Sequence, residues 1–122
     1  MADRVLFQCW GEPVHGREQH SLEVFNEALA YYGEMQSAGR IESFDVCLLE
    51  PNGFLDGYIA VKGSSEQLHA LKEDVRFRRI TAEAGMIVNQ LRHIEGYTGD
   101  GIGEIMPLYE EAIAKAPQMA LH

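Results

Sequence analysis

Two successive strand, helix, strand halves run through this chain, and their strands carry apolar residues on both sides of the backbone. One layer of helices shelters only one side of such a sheet, so a second apolar side must be covered by something else. The first strand reads Arg4 to Trp10, with Val5, Phe7 and Cys9 on one side and Leu6, Gln8 and Trp10 on the other. Gly11, Pro13 and Gly16 break it, and helical periodicity takes over from Arg17 to Ala38, where Gly39 supplies a C-terminal stop. At 100° per residue this helix sets Leu22, Phe25, Leu29 and Tyr32 on one stripe and Val24, Ala28, Tyr31 and Met35 on the next. Two adjoining stripes imply that something besides its own sheet packs on it.

Ile41 to Glu50 and Phe54 to Lys62 read as the next two strands, joined by the turn residues Pro51-Asn52-Gly53. Ser64 and Gln67 have capping-box spacing, and the apolar stripe of Leu68, Leu71 and Val75 shifts azimuth to Phe77, Ile80 and Ala84 past Asp74, so a helix in two pieces is expected. Gly85 punctuates, and Met86 to Glu95 reads as the fourth strand, with Ile87, Asn89, Leu91 and His93 on one side. A glycine-rich turn leads to a last helix whose apolar face holds Ile102, Ile105, Met106, Tyr109, Ala112 and Ile113, with Pro107 expected in its first turn. Residues 1–116 form one domain on this reading, and 117–122 are a loose C-terminal tail.

The order is the α+β, ferredoxin-like βαββαβ plan with an added C-terminal helix. Leu6, Trp10, Phe44, Val46, Leu48, Val88 and Ile94 are the alternating residues expected on the uncovered face, and pairing two sheets in a twofold homodimer would hide them. With these residues in view the chain resembles the dimeric α+β barrel proteins, a group that includes small cofactor-free monooxygenases and stress-responsive barrel proteins. More narrowly, Gly11-Glu12-Pro13-Val14-His15-Gly16-Arg17-Glu18, Ile41-Glu42-Ser43-Phe44 and Leu49-Glu50-Pro51-Asn52-Gly53 resemble segments of an uncharacterised bacterial family of this size. The resemblance spans nearly the whole chain and implies fold and dimerisation rather than a named activity.

A net charge of minus nine, with ten basic residues, opposes a phosphate backbone over most of the surface, so nucleic acid is not an expected partner. Apolar runs stay shorter than the roughly 18 residues of a membrane span, the start lacks a secretory leader, and Cys9 and Cys47 sit in strands rather than at metal-ligand spacing. A reducing cytoplasm fits, and no metal or cofactor is implied. Gly99-Asp100-Gly101-Ile102-Gly103-Glu104 lacks the third glycine of a dinucleotide fingerprint and places carboxylates where phosphate would go, which leaves flexibility as the role of that turn.

His15 and Arg17, with His20 nearby, are the most reactive-looking group. An imidazole can exchange protons near neutral pH and a guanidinium can clamp a carboxylate or enolate, so His15 and Arg17 are the candidate catalytic pair. The plain alternative is a solvated loop with Arg17 paired to a neighbour. Trp10, His20, Gln90, Arg92 and His93 are candidate ligand-binding residues, since Asn89 with His93, or Gln90 with Arg92 and Gln8, could wall a pocket or merely line a polar seam. Arg76, Arg78 and Arg79 read as a self-paired face beside Glu73, Asp74 and Glu83. Three functions follow: a dimeric barrel that binds a small apolar or aromatic molecule, with a cofactor-free oxygenase- or isomerase-like step; a noncatalytic docking dimer acting through Tyr31 and Met35; and a haem-handling relative that has histidines but no axial-ligand motif.

Overall fold

The computed structural model describes residues 2–116, so the expected tail lies outside the described residues. The elements are β1 (Arg4–Trp10), α1 (Glu18–Ser37), β2 (Ser43–Leu48), β3 (Gly57–Gly63), α2 (Ser65–Glu73), α3 (Val75–Ile87), β4 (Arg92–Tyr97) and α4 (Asp100–Lys115). Every strand pair is antiparallel and the sheet order is β2-β3-β1-β4. This is the α+β plan read from the sequence, with the last helix added after it.

Local chemistry explains most boundaries. After α1, Gly39 takes a φ of +72°, and the amides of Gly39 and Arg40 bond the carbonyls of Gln36 and Met35 at 3.1 and 2.8 Å, a Schellman closure. At the start of α2 the Ser64 hydroxyl accepts from the Gln67 amide while the Gln67 side chain accepts from the Ser64 amide, the reciprocal box its spacing announced. Asp74 is extended, and there the helix breaks in two. Between β2 and β3 the turn is wider than the sequence suggests. The Asn52 carboxamide accepts from the amides of Phe54 and Leu55 and donates to the carbonyls of Glu50 and Leu55, folding residues 49–56 into a loop instead of strand.

Four expectations need correction. The fourth strand begins at Arg92, because α3 continues through Gly85 to Ile87. The spacing Phe77, Ile80, Ala84, Ile87 is helical, and burying the Ile87 side chain contributes about 1.5–3 kcal/mol against the ~1 kcal/mol cost of a glycine within a helix. Pro107 stands in the interior of α4, not in its first turn. Gly101 serves close packing rather than flexibility, since a methyl group there would overlap the Asp3 carbonyl.

The fourth correction concerns which side of the sheet is open. Strand register puts Leu6, Gln8 and Trp10 in rows with Val61, Ile59 and Gly57, and these with Phe44, Val46 and Leu48, all on the side that α1, α2 and α3 cover. Val88 has left the strand and packs against the core. Of the seven residues expected on the free face, Ile94 alone is there, beside Val5, Phe7, Cys9, Cys47, Tyr58 and Ala60. Alternation sorts side chains into two sets but does not say which set the helices choose. The second stripe of α1 is covered from within the chain: Tyr31, only 1% exposed, meets the Phe77 ring on α3 with centroids 6.5 Å apart and donates to Asp74 at 2.5 Å. Docking through Tyr31 is therefore closed off.

Candidate functional site

Between the helix-covered side of the sheet and helices α1 and α3 lies a cavity of about 500 Å³. Its wall is apolar: Trp10 and Ile59 from the sheet, Phe25 and Ala28 from α1, and Ile80 and Ala84 from α3 are among the lining residues, with Leu48 and Leu49 at the β2 end. This volume lies within the range of pockets that enclose drug-sized molecules. Gly57 makes room for the wall, since a Cβ there would sit 2.9 Å from the Trp10 ring and 2.7 Å from the Cys47 carbonyl. With that space free, Trp10 lies across β3 and its ring faces Phe25 at a centroid distance of 5.8 Å.

One deep polar residue interrupts this wall. Gln8 is 4% exposed, the sole polar residue in the buried set among the described residues. Its Oε1 accepts from the Tyr32 hydroxyl at 2.9 Å, and its Nε2 lies 2.7 Å from His93 Nε2. With the amide in that orientation Nε2 donates, so the imidazole nitrogen facing it carries a lone pair and the His93 proton sits on Nδ1. Burial first, and the Lys72 charge second, lower the His93 pKa, which favours the neutral ring this bond requires. Burial likewise raises the Tyr32 phenol. The chain Tyr32, Gln8, His93 thus supplies a buried, uncharged polar group at a cavity whose wall is mostly hydrocarbon.

The residues singled out from the sequence fall into two groups. Trp10 lines the cavity, and His93 reaches it through Gln8 while its ring packs 5.5 Å from that of Phe77. His15 is exposed in the loop after β1 and His20 faces solvent, 3.3 Å from Glu23. Arg17 donates to the Met86 carbonyl at 3.0 Å, where it caps the C-terminal end of α3. Gln90 is an exposed residue with a φ of +56°, and Arg92 stands over the Phe54 ring at 5.9 Å. None of these last five lines the cavity. Gln8 lines it, as the sequence offered, but without the Gln90 and Arg92 it was grouped with; Glu12, Ser21 and Asp56 also line it and were not singled out.

Of the arginine cluster, Arg78 pairs with Glu73 at 2.5 Å as expected, and Arg76 pairs instead with Glu34 on α1. Among the described residues no group of three histidines, cysteines or carboxylates is placed to hold a metal, and no helix is long and apolar enough to cross a membrane.

Comparison with solved structures places this architecture. A dimeric protein of unknown function with a ferredoxin-like fold from Bacteroides fragilis superposes with a TM-score of 0.59 over 78% of this chain and 96% of its own, at 8% identity. This chain has the ferredoxin-like fold. A protein from Chloroflexus aurantiacus assigned as an antibiotic biosynthesis monooxygenase superposes with a TM-score of 0.55 over 79% of this chain and 93% of its own, at 12% identity. No family model and no curated protein sequence matches this ferredoxin-like chain.

Proposed function

We propose that this protein is a cytoplasmic homodimer that binds a small apolar or aromatic organic molecule between its helices and its sheet. The cavity of about 500 Å³, mostly apolar in its walls and with a buried polar group at Gln8, is the observation that carries this reading. The free thiols Cys9 and Cys47 are separated by β3, too far apart to pair within one chain, which fits a reducing compartment. The homodimer is supported by the apolar free face of the sheet and by the dimeric Bacteroides protein of the same fold. The Chloroflexus protein supports a catalytic form of the reading, a cofactor-free oxygenase- or isomerase-like step on the bound molecule. Of the side chains that the sequence marks as ligand-binding candidates, Trp10 lines the cavity and supports this reading directly, whereas His93 bears on it only through its bond to Gln8.

Thermal unfolding with naphthalene-type alcohols checks the binding. Saturating ligand should raise the midpoint of the native protein, and Ala84→Phe, which places a ring inside the cavity, should abolish that rise. A rise that survives Ala84→Phe would place the ligand elsewhere. A second reading, a noncatalytic docking dimer, is favoured by α4, whose Ile102, Met106, Tyr109 and Ile113 are exposed.

A further inference from the structure

The wall of the ligand cavity carries two ionisable residues, Glu12 and Asp56, and no lysine, arginine or histidine. Neither carboxylate enters an ion pair among the described residues. The neighbouring cations are engaged elsewhere, Arg17 on the Met86 carbonyl and Arg92 over Phe54. Helix α1 reaches the cavity in its first turn through Ser21, whose hydroxyl donates back to the Glu18 carbonyl, while the Glu18 charge offsets the positive end of that helix. An anionic ligand would enter this apolar space against two like charges and a net charge of minus nine, without a compensating donor group of opposite sign. An uncharged or cationic ligand meets neither penalty.

Gln8 defines the polar end of the same ligand. A carboxamide offers two N–H donors and two carbonyl lone pairs. Tyr32 occupies one lone pair and His93 one donor, so one N–H and one lone pair remain for a molecule beside Gln8. Building on the ligand-cavity reading above, we propose that the ligand class is a neutral or cationic apolar molecule with a single hydroxyl, carbonyl or amine, and that Gln8 selects for that group. Aromatic and aliphatic acids are rejected by Glu12 and Asp56.

Trp10 is the single tryptophan of the chain and lines the cavity, so its fluorescence reports occupancy directly. Adamantanol, adamantylamine and adamantane carboxylate share one hydrocarbon body and are transparent where tryptophan is excited. Titrated into the full chain, the alcohol and the amine should bind at least about tenfold more tightly than the carboxylate. In the double variant Glu12→Gln, Asp56→Asn the carboxylate should gain affinity severalfold and the amine should lose it. Equal or tighter binding of the carboxylate to the native protein overturns the ligand class while leaving the cavity reading intact. No response to any of the three overturns both.

The Gln8 role is read separately. In Gln8→Met the alcohol should lose about tenfold in affinity relative to chloroadamantane, which lacks the donor. In the unaltered protein the Gln8 side-chain amide resonances should move on adding adamantanol but not chloroadamantane, a measurement that does not depend on the variant folding. Resonances that respond equally to both probes remove Gln8 as the selecting group.

Discussion

At the scale of single residues, Gln8 is where stability and site chemistry meet. A buried carboxamide is costly unless its groups are bonded, and here Tyr32 and His93 bond it from opposite sides. The bond to His93 needs an unprotonated nitrogen, so the network depends on pH. The folded His93 pKa lies below the ordinary value of 6.5 because burial and Lys72 disfavour the charged ring. The unfolded chain therefore takes up the proton first as pH falls. The stabilisation is fully present above pH 6.5 and is lost as pH drops through 6.5 toward the lower folded value. Urea midpoints measured between about pH 8 and pH 5 should fall less steeply in His93→Gln, whose carboxamide still accepts from Gln8 but does not titrate in this range. Parallel pH profiles for the two proteins would show that His93 is not the titrating partner.

At the scale of elements, the loop after β1 divides its work: Glu12 and Pro13 line the cavity, while Val14 and Arg17 serve the end of α3. Helix α3 has no basic residue in its last turn, and its terminal carbonyls are met from outside: Val14 donates to Ile87 and Arg17 to Met86, at 2.7 and 3.0 Å. Arg17→Ala should lower stability by roughly 0.3–1 kcal/mol, the usual worth of an exposed cation at a helix end, and leave adamantanol affinity unchanged. Calorimetric unfolding with ligand titration in the same preparation checks both, and a large affinity loss would return Arg17 to the site. The sequence made the Arg17 loop prominent because imidazole and guanidinium are reactive groups wherever they stand. It also made β1, the Gly39 stop and the break at Asp74 legible, since these follow from local periodicity and capping. It hid the extension of α3 through Gly85, because a glycine that weakens a helix locally is overridden by the burial of Ile87, a tertiary effect. The cavity was hidden for the same reason: Trp10, Phe25, Ile59 and Ile80 stand far apart in the chain, and nothing in their spacing tells a packed core from a hollow one.

At the scale of the whole molecule, the sheet has one side under helices and another that leaves Ile94 51% exposed and Phe7 and Tyr58 partly so, with the last two rings in contact at 5.0 Å. Alternation foretold two apolar sides, and register shows that Phe7, Tyr58 and Ile94 are on the free one, not Leu6 or Trp10. That distinction makes the dimer hypothesis sharper than the sequence allowed, because the proposed interface and the proposed ligand cavity fall on opposite sides of one sheet. Substitutions at the interface should then separate assembly from binding. A stable pair of this kind buries on the order of 800 Å² on each partner, and a carboxylate placed at its centre loses its hydration without gaining a counterion. Phe7→Glu with Ile94→Glu should convert a sedimenting dimer to a monomer at micromolar concentration while Trp10 fluorescence still reports adamantanol binding. If the double variant sediments unchanged and Tyr109→Glu on α4 instead dissociates the protein, the contact runs along the exposed stripe of that helix and the free sheet face is not where two copies meet.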